Sequence, residues 1–197
     1  MKIITITGYK GGVGKSTTAV HLATFFSDQG QTLLIDGDPN RTAINWNKRG
    51  GLPFTVVDER QAAKSIPGNE YLIIDTPARP DSSDLKELSE GCHLLILPTI
   101  PDTTSLEPML ETANELEGKE YKALITMAPA FPNRDAKVMQ AEMQDNGIPV
   151  FQTLIRRSIA FSKASNEGVA IRDLKGRDRI PWQDYLNLGR EILEDLT

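Results

Sequence analysis

Cysteine is nearly missing from this 197-residue chain, with Cys92 the single example. One thiol can form neither an intramolecular disulfide nor a multi-thiolate metal centre, so disulfide scaffolds and cysteine-held clusters are excluded. Histidine is almost as scarce, and His21 and His93 lie far apart in the sequence; both are read as structural residues. Long apolar runs are absent as well. Stretches such as Leu94–Leu97 fall far short of the roughly 20 residues that a membrane span requires. The N-terminal stretch has one charge, Lys2, and a short alternating run without the apolar centre of a secretory leader, so a reducing cytoplasm is the expected compartment. With 39% apolar and 25% charged residues, composition leaves no room for long disorder or collagen-like repeats. The length suits one domain, expected to span residues 1–197.

The net charge is −5, which argues against a surface coated for nucleic acid. Its distribution is uneven. Residues 156–179 carry Arg156, Arg157, Lys163, Arg172, Lys175, Arg177 and Arg179 against Glu167, Asp173 and Asp178, a local +4 on a body of −9. Strand-like and helix-like stretches alternate along the chain. Strands are expected at Ile3–Thr7, Thr32–Ile35, Phe54–Val57, Tyr71–Ile74, His93–Leu97, Tyr121–Met127 and Val150–Ile155. Helices are expected at Ser16–Gln29 and over 82–90, 104–117, 135–146, 158–166 and 181–196. Continuous apolar strands separated by helices predict an α/β fold of three layers, a mostly parallel sheet with helices on both faces. Ligands of such sheets lie beyond the carboxyl ends of the strands, which is where chemistry is sought.

The segment after the first strand reads Gly8-Tyr9-Lys10-Gly11-Gly12-Val13-Gly14-Lys15-Ser16-Thr17 and satisfies G-x-x-x-x-G-K-[ST] from Gly8 to Ser16. Glycines allow backbone N–H groups to converge on phosphate oxygens, and the following helix start adds partial positive charge. Lys15 is placed to reach the β- and γ-phosphates and the Ser16 hydroxyl to ligate Mg²⁺. Residues 10–17 (Lys10, Gly11, Gly12, Val13, Gly14, Lys15, Ser16 and Thr17) are therefore the expected ATP cradle. Leu72-Ile73-Ile74-Asp75 is a buried strand ending in a carboxylate that would hold Mg²⁺ through water. Thr76 follows it, which disfavours NTPases that activate water with a glutamate at that position.

The early lysine, Lys10, makes the loop Lys-Gly-Gly-Val-Gly-Lys-Ser-Thr. This resembles the deviant Walker A ATPases of the ParA/MinD family, small partition proteins and cargo-positioning relatives in particular. The resemblance implies a P-loop NTPase fold and an ATP-dependent homodimer with two nucleotides between subunits. Lys10 would then act across the dimer as a cation supplied in trans. Asp36-Gly37-Asp38-Pro39 resembles the family's second motif, which implies that Asp38 helps polarise the attacking water and that Asp36 lies near the Mg²⁺ shell. Catalysis would thus fall to Lys10, Lys15 and Asp38, and the metal to Ser16, Asp36 and Asp75. Asp75-Thr76-Pro77 resembles the family's version of the strand-end turn. Leu95–Thr99 resembles its next strand; family members carry an aspartate beyond it where this chain has Ser105, with Asp102 three residues earlier. Trp46 resembles a tryptophan of small partition ATPases, and packing is its expected role.

The region from Thr153 to Gly168 resembles the family segment near the adenine and the dimer contact. The resemblance implies non-specific DNA binding by Arg156, Arg157, Lys163, Arg172 and Lys175, which suits contacts to phosphates that carry no sequence information. A ParB-like protein or a cargo adaptor would stimulate hydrolysis, and the cargo would be a plasmid, a chromosome region or a protein organelle. The adenine is expected against Pro129–Arg134 or the 155–158 turn. No helix-turn-helix precedes the phosphate loop, so operator binding is not expected. The final helix bears a net charge of −3, which disfavours a membrane-surface anchor and favours docking on the core. A metabolic P-loop enzyme (a dethiobiotin-synthetase-like ligase or a small-molecule kinase) is the alternative. The lone cysteine excludes a cluster-bearing reductase.

Overall fold

The computed structural model describes residues 1–102, 106–116 and 118–196. Six strands form one sheet: β1 Lys2–Gly8, β2 Thr32–Asp36, β3 Thr55–Asp58, β4 Tyr71–Ala78, β5 Leu94–Thr99 and β6 Tyr121–Ile125. All pair in parallel, in the order β3-β2-β4-β1-β5-β6. The helices between them are α1 Lys15–Phe26, α2 Thr42–Arg49, α3 Glu59–Ser65, α4 Ser82–Glu90, α5 Leu106–Glu115 and α6 Arg134–Asp145, followed by α7 Ala160–Glu167 and α8 Trp182–Asp195. Short 3₁₀ turns at Ile171–Asp173 and Gly176–Arg179 connect the last two. The expected helix over 104–117 is found as α5; positions 104, 105 and 117, and with them Ser105, lie outside the described residues.

Alternation along the strands sends side chains to two cores. Ile4, Ile6, Leu34, Ile73 and Ile96 pack with Leu22 and Phe26 of α1, Trp46 of α2, Ala164 of α7 and Tyr185, Leu188 and Ile192 of α8. Leu95, Leu97, Ala123 and Ile125 pack on the opposite side with Leu85, Met109, Met139 and Met143 of α4, α5 and α6. Leu33, Ile35, Val57 and Leu72 meet Ala62 beneath α3. The three layers match the expected architecture. Gly189 of α8 allows α8 to pack closely on α1, since a Cβ there would fall 2.4 Å from the Phe25 ring.

Two helices were not legible. In α3 no residue is buried, so no apolar face marks it. The short helix α2 buries only Ala43 and Trp46. The expected strand at Val150–Ile155 is a correction: this segment runs parallel beside β6 but touches the sheet through isolated bridges, Ala123↔Val150 and Ala128↔Arg156. Its N–H groups at 151, 155 and 157 donate to Ala123, Ile125 and Ala128. On its outer side no strand follows. Glu191 accepts from the N–H of Gln152 and Thr153 (2.7 and 3.1 Å), Asp184 accepts from that of Arg156 (3.0 Å), and the Gln140 amide donates to the Phe151 and Gln152 carbonyls (2.7 and 3.2 Å). Side chains of α6 and α8 thus cover an edge that would otherwise expose unpaired backbone.

Candidate functional site

The carboxyl ends of β1, β2, β4 and β6 converge on one site. The loop from Gly8 to α1 is held open by left-handed turns at Gly12 (φ 78°) and Gly14 (φ 87°), a conformation that suits glycine. Gly14 begins α1, which has neither a capping side chain nor an acidic residue in its first turn. Its first N–H groups are therefore left for an anion. The loop is anchored across the sheet by Thr126, whose hydroxyl lies 2.8 Å from the Val13 carbonyl and 3.0 Å from that of Thr99. Lys15 is 7% exposed, its charge turned into the site rather than to bulk water. Lys10 is half-exposed and lies 3.1 Å from Asp102 of the same chain.

Three aspartates stand level across neighbouring strands, since Asp36 pairs in register with both Asp58 and Asp75. Their surroundings set them apart. Asp58 caps α3 through Gln61 N–H (3.0 Å). Asp36 is fully buried and spends both oxygens on backbone, accepting from Asp38 N–H (3.2 Å) and from Ile44 N–H (3.0 Å) in the first turn of α2. Burial raises its pKa, and those hydrogen bonds oppose the rise. Asp38 accepts from Asn40 N–H through one oxygen (2.8 Å) and is 7% exposed. Asp75 is fully buried, and neither of its oxygens has a partner in hydrogen-bonding geometry. Burial pushes its carboxyl up to about 7; the Ser16 hydroxyl and Lys15 ammonium counter this in part, while Asp36 and Asp38 add to it. An orphaned buried carboxylate beside a serine hydroxyl is costly unless a cation completes it, and an oxygen donor set of this kind suits Mg²⁺. Of the expected metal residues Ser16, Asp36 and Asp75, the first and last are open to a metal, and Asp36 is engaged as a helix cap.

A cavity of about 540 Å³ opens beside the loop. Gly14, Thr17, Thr18, Thr126, Met127, Tyr185 and the turn from Ile155 to Ile159 line it, with Trp46 on one wall. Of the two segments expected near a base, the 155–158 turn lines this cavity and residues 129–134 do not. Trp46 is 1% exposed and its indole donates to Val169 O (2.9 Å), so packing is its role. Behind the cavity His21 is fully buried; Nδ1 lies 2.7 Å from Thr17 O and Nε2 accepts from Ile171 N–H (3.1 Å).

The five basic residues expected to bind DNA have different surroundings. Arg156 is held by Asp184, which takes Nε at 2.8 Å and Nη2 at 2.6 Å, so its guanidinium ties the turn at the cavity to α8. Arg157 lines the cavity. Lys163 pairs with Asp178 (2.7 Å), and Arg172 pairs with Asp28 near the Trp182 ring. Lys175 is exposed. Asp184, Thr126 and Met127 escaped the sequence reading: the first acts on a residue 28 positions away, and no local motif marks the others.

A glycine loop between a parallel strand and a helix, a lysine turned into it, and an orphaned aspartate on the adjacent strand define a P-loop nucleotide-binding protein. The model of the CobQ/CobB/MinD/ParA nucleotide binding domain matches residues 4–171, and the chain belongs to that family and is an ATPase of the ParA/MinD type. It is 30% identical to Maintenance of carboxysome distribution protein A of Gloeobacter kilaueensis, over 98% of this chain and 95% of that one. It is 24% identical to Protein ParA of Rhizobium radiobacter, over 90% and 88%. Among solved structures it resembles Cyanothece McdA in complex with ATP (TM-score 0.74, 15% identity, 98% of this chain and 96% of that one). It also resembles a putative plasmid partition protein of Borrelia burgdorferi bound to AMPPNP (TM-score 0.70, 19% identity, 98% of each). No helix among the described residues is long and apolar enough to cross a membrane.

Proposed function

We propose that the chain is the ATP-driven switch of a cargo-positioning system. ATP and Mg²⁺ bind at the Gly8–Thr17 loop, Ser16 and Asp75 hold the metal through oxygen ligands, and Asp36 orients the neighbouring turn. ATP assembles a homodimer in which Lys10 of each protomer neutralises charge on the partner's triphosphate, and Asp38 polarises the attacking water. The dimer binds DNA without sequence preference, with Arg157 and Lys175, and Lys163 and Arg172 once released from their carboxylates, supplying phosphate contacts. A ParB-like protein or cargo adaptor triggers hydrolysis and release in the cytoplasm. The carboxysome-distribution and partition relatives support an organelle or a plasmid as cargo. The observation that carries the reading is the pair of lysines, Lys10 and Lys15, at the two ends of one glycine loop.

The test measures DNA binding and sedimentation with ADP, ATP and a slowly hydrolysed analogue across a salt series. The expected result is a DNA-binding dimer with ATP alone, lost in Lys15→Ala and accumulated in Asp38→Ala. A monomer indifferent to nucleotide and DNA, hydrolysing ATP only with a small acceptor, would replace this reading with the metabolic alternative.

A further inference from the structure

The turn after β4 carries a cation that the reading above does not use. Among the described residues, three that are not glycine have φ in the left-handed region: Arg41 (52°), Arg79 (62°) and Met127 (52°). Each follows the carboxyl end of a strand, β2, β4 or β6, so all three lie at the end of the sheet that carries the phosphate loop. Such conformations persist where the surrounding structure imposes them, and they gather at functional sites. Met127 lines the cavity. Arg41 is held by the Glu59 carboxylate and the Asp36 carbonyl. Arg79 is exposed and forms no ion pair among the described residues.

Its backbone is fixed against the phosphate loop. Ala78 pairs with Gly8 across β1 and β4, and Arg79 N–H donates to Gly8 O at 3.1 Å. Gly8 in turn lies against Lys15, since a Cβ on it would sit 3.9 Å from Lys15 Cδ. An arginine side chain built from bonds of ~1.5 Å extends roughly 6–7 Å, enough to span from this turn to phosphates gripped by Lys15. Asp75 lies four positions earlier on the same strand, so metal carboxylate and guanidinium would approach one phosphate group from one element.

We propose that Arg79 is a further catalytic residue whose guanidinium contacts the terminal phosphoryl group of ATP bound in its own protomer. Water oxygen bonds to the γ-phosphorus as the bond to the β,γ-bridging oxygen breaks. ADP departs with that electron pair, and both protons of the water pass to inorganic phosphate, which exchanges them with solvent. Arg79 stays protonated and stabilises the charge that gathers on the equatorial oxygens, a contact that a planar fork makes better than a point charge.

The substitution Arg79→Gly tests this without endangering the fold, because glycine adopts this backbone freely. The melting temperature, the Kd for ADP and for ATPγS, and kcat with Mg-ATP are compared with wild type, alongside Arg79→Lys. The expected result for R79G is an equal or higher melting temperature, unchanged ADP affinity, about tenfold weaker ATPγS binding and kcat lowered by about 10²-fold, with R79K intermediate. Wild-type kcat with normal discrimination between ATPγS and ADP in R79G would overturn the proposal. Equal loss of affinity for both nucleotides would also overturn it, by showing that Arg79 only shapes the loop.

Discussion

Acid should loosen this protein through one side chain at the back of the nucleotide cavity. His21 is fully buried and stacks on Tyr185 at 4.8 Å, with Trp46 and Phe161 edge-on at 5.5 and 5.4 Å. Because Nε2 accepts from Ile171 N–H, the proton of the neutral ring sits on Nδ1 and is donated to Thr17 O. Protonation would convert Nε2 into a donor facing another donor, inside an apolar box. Burial accordingly lowers the His21 pKa from 6.5 to about 4, against a small opposing effect of the Thr17 carbonyl. The sign follows from linkage: above pH 6.5 the ring is neutral in both states and costs nothing. As pH falls, the unfolded chain takes up a proton that the folded chain refuses, and stability is lost. The loss is about 1.4 kcal/mol at pH 5.5 and about 3 kcal/mol at pH 4. That is a large share of the roughly 5–15 kcal/mol that holds a domain together. Urea denaturation of wild type and His21→Gln at pH 7, 5.5 and 4 measures it. The glutamine can replace both hydrogen bonds but does not titrate, so the wild-type loss between pH 7 and 4 should exceed the variant's by about 3 kcal/mol. Parallel pH dependences, or a His21 resonance titrating near 6.5, would refute the reasoning.

Asp75 acts with the opposite sign. Its raised pKa of about 7 means that stability present below pH 4 is lost as pH rises through 7, so Asp75→Asn in chelator should remove a penalty that grows by about 2–3 kcal/mol between pH 5 and pH 8; denaturation at those two pH values measures the difference. Mg²⁺ competes with the same proton, and nucleotide-dependent Mg²⁺ affinity, read by calorimetry, should weaken below pH 7. Gly189→Ala places a methyl group against the Phe25 ring and should cost about 1–3 kcal/mol in thermal unfolding without altering nucleotide specificity. Asp184→Asn leaves Arg156 half-buried without its carboxylate and should weaken ATP binding, whereas Arg157→Ala should chiefly weaken DNA binding at low salt; titration with a fluorescent nucleotide and a labelled duplex separates the two.

Much of the fold was legible because its signals are local. The glycine loop follows its strand directly, and β2, β4 and β5 are contiguous apolar runs that stop at Asp36, Asp75 and Pro98. The parallel sheet followed from that alternation. What was not legible depends on pairs distant in sequence. Helix α2 has no capping side chain of its own at Arg41; its cap is Asp36, which hydrogen-bonds Ile44 from the end of β2. The basic segment 156–179 showed its charge in the sequence but not its partners: Arg156, Lys163 and Arg172 pair with carboxylates on α8, on the second 3₁₀ turn and just after α1.

The Val150–Ile155 segment shows the general reason most clearly. Its apolar residues Val150, Phe151 and Ile155 are buried as a strand's would be, and hydrophobicity alone cannot distinguish a central strand from an edge closed by side chains. The distinguishing groups are Glu191, Asp184 and Gln140, which take the outer hydrogen bonds from α8 and α6. On a helix surface such residues look like solvated charge. Here they make α8 a splint: Asp184 holds the turn at the cavity, Glu191 holds the chain leading into it, and Tyr185 stacks on His21 and lies 3.3 Å from the Thr18 hydroxyl. A nucleotide that tightens the 155–158 turn must therefore tighten α8 as well. Hydrogen exchange along α8 should slow on ATP binding in the wild type, and Asp184→Asn should uncouple the two while leaving the Glu191 contacts in place.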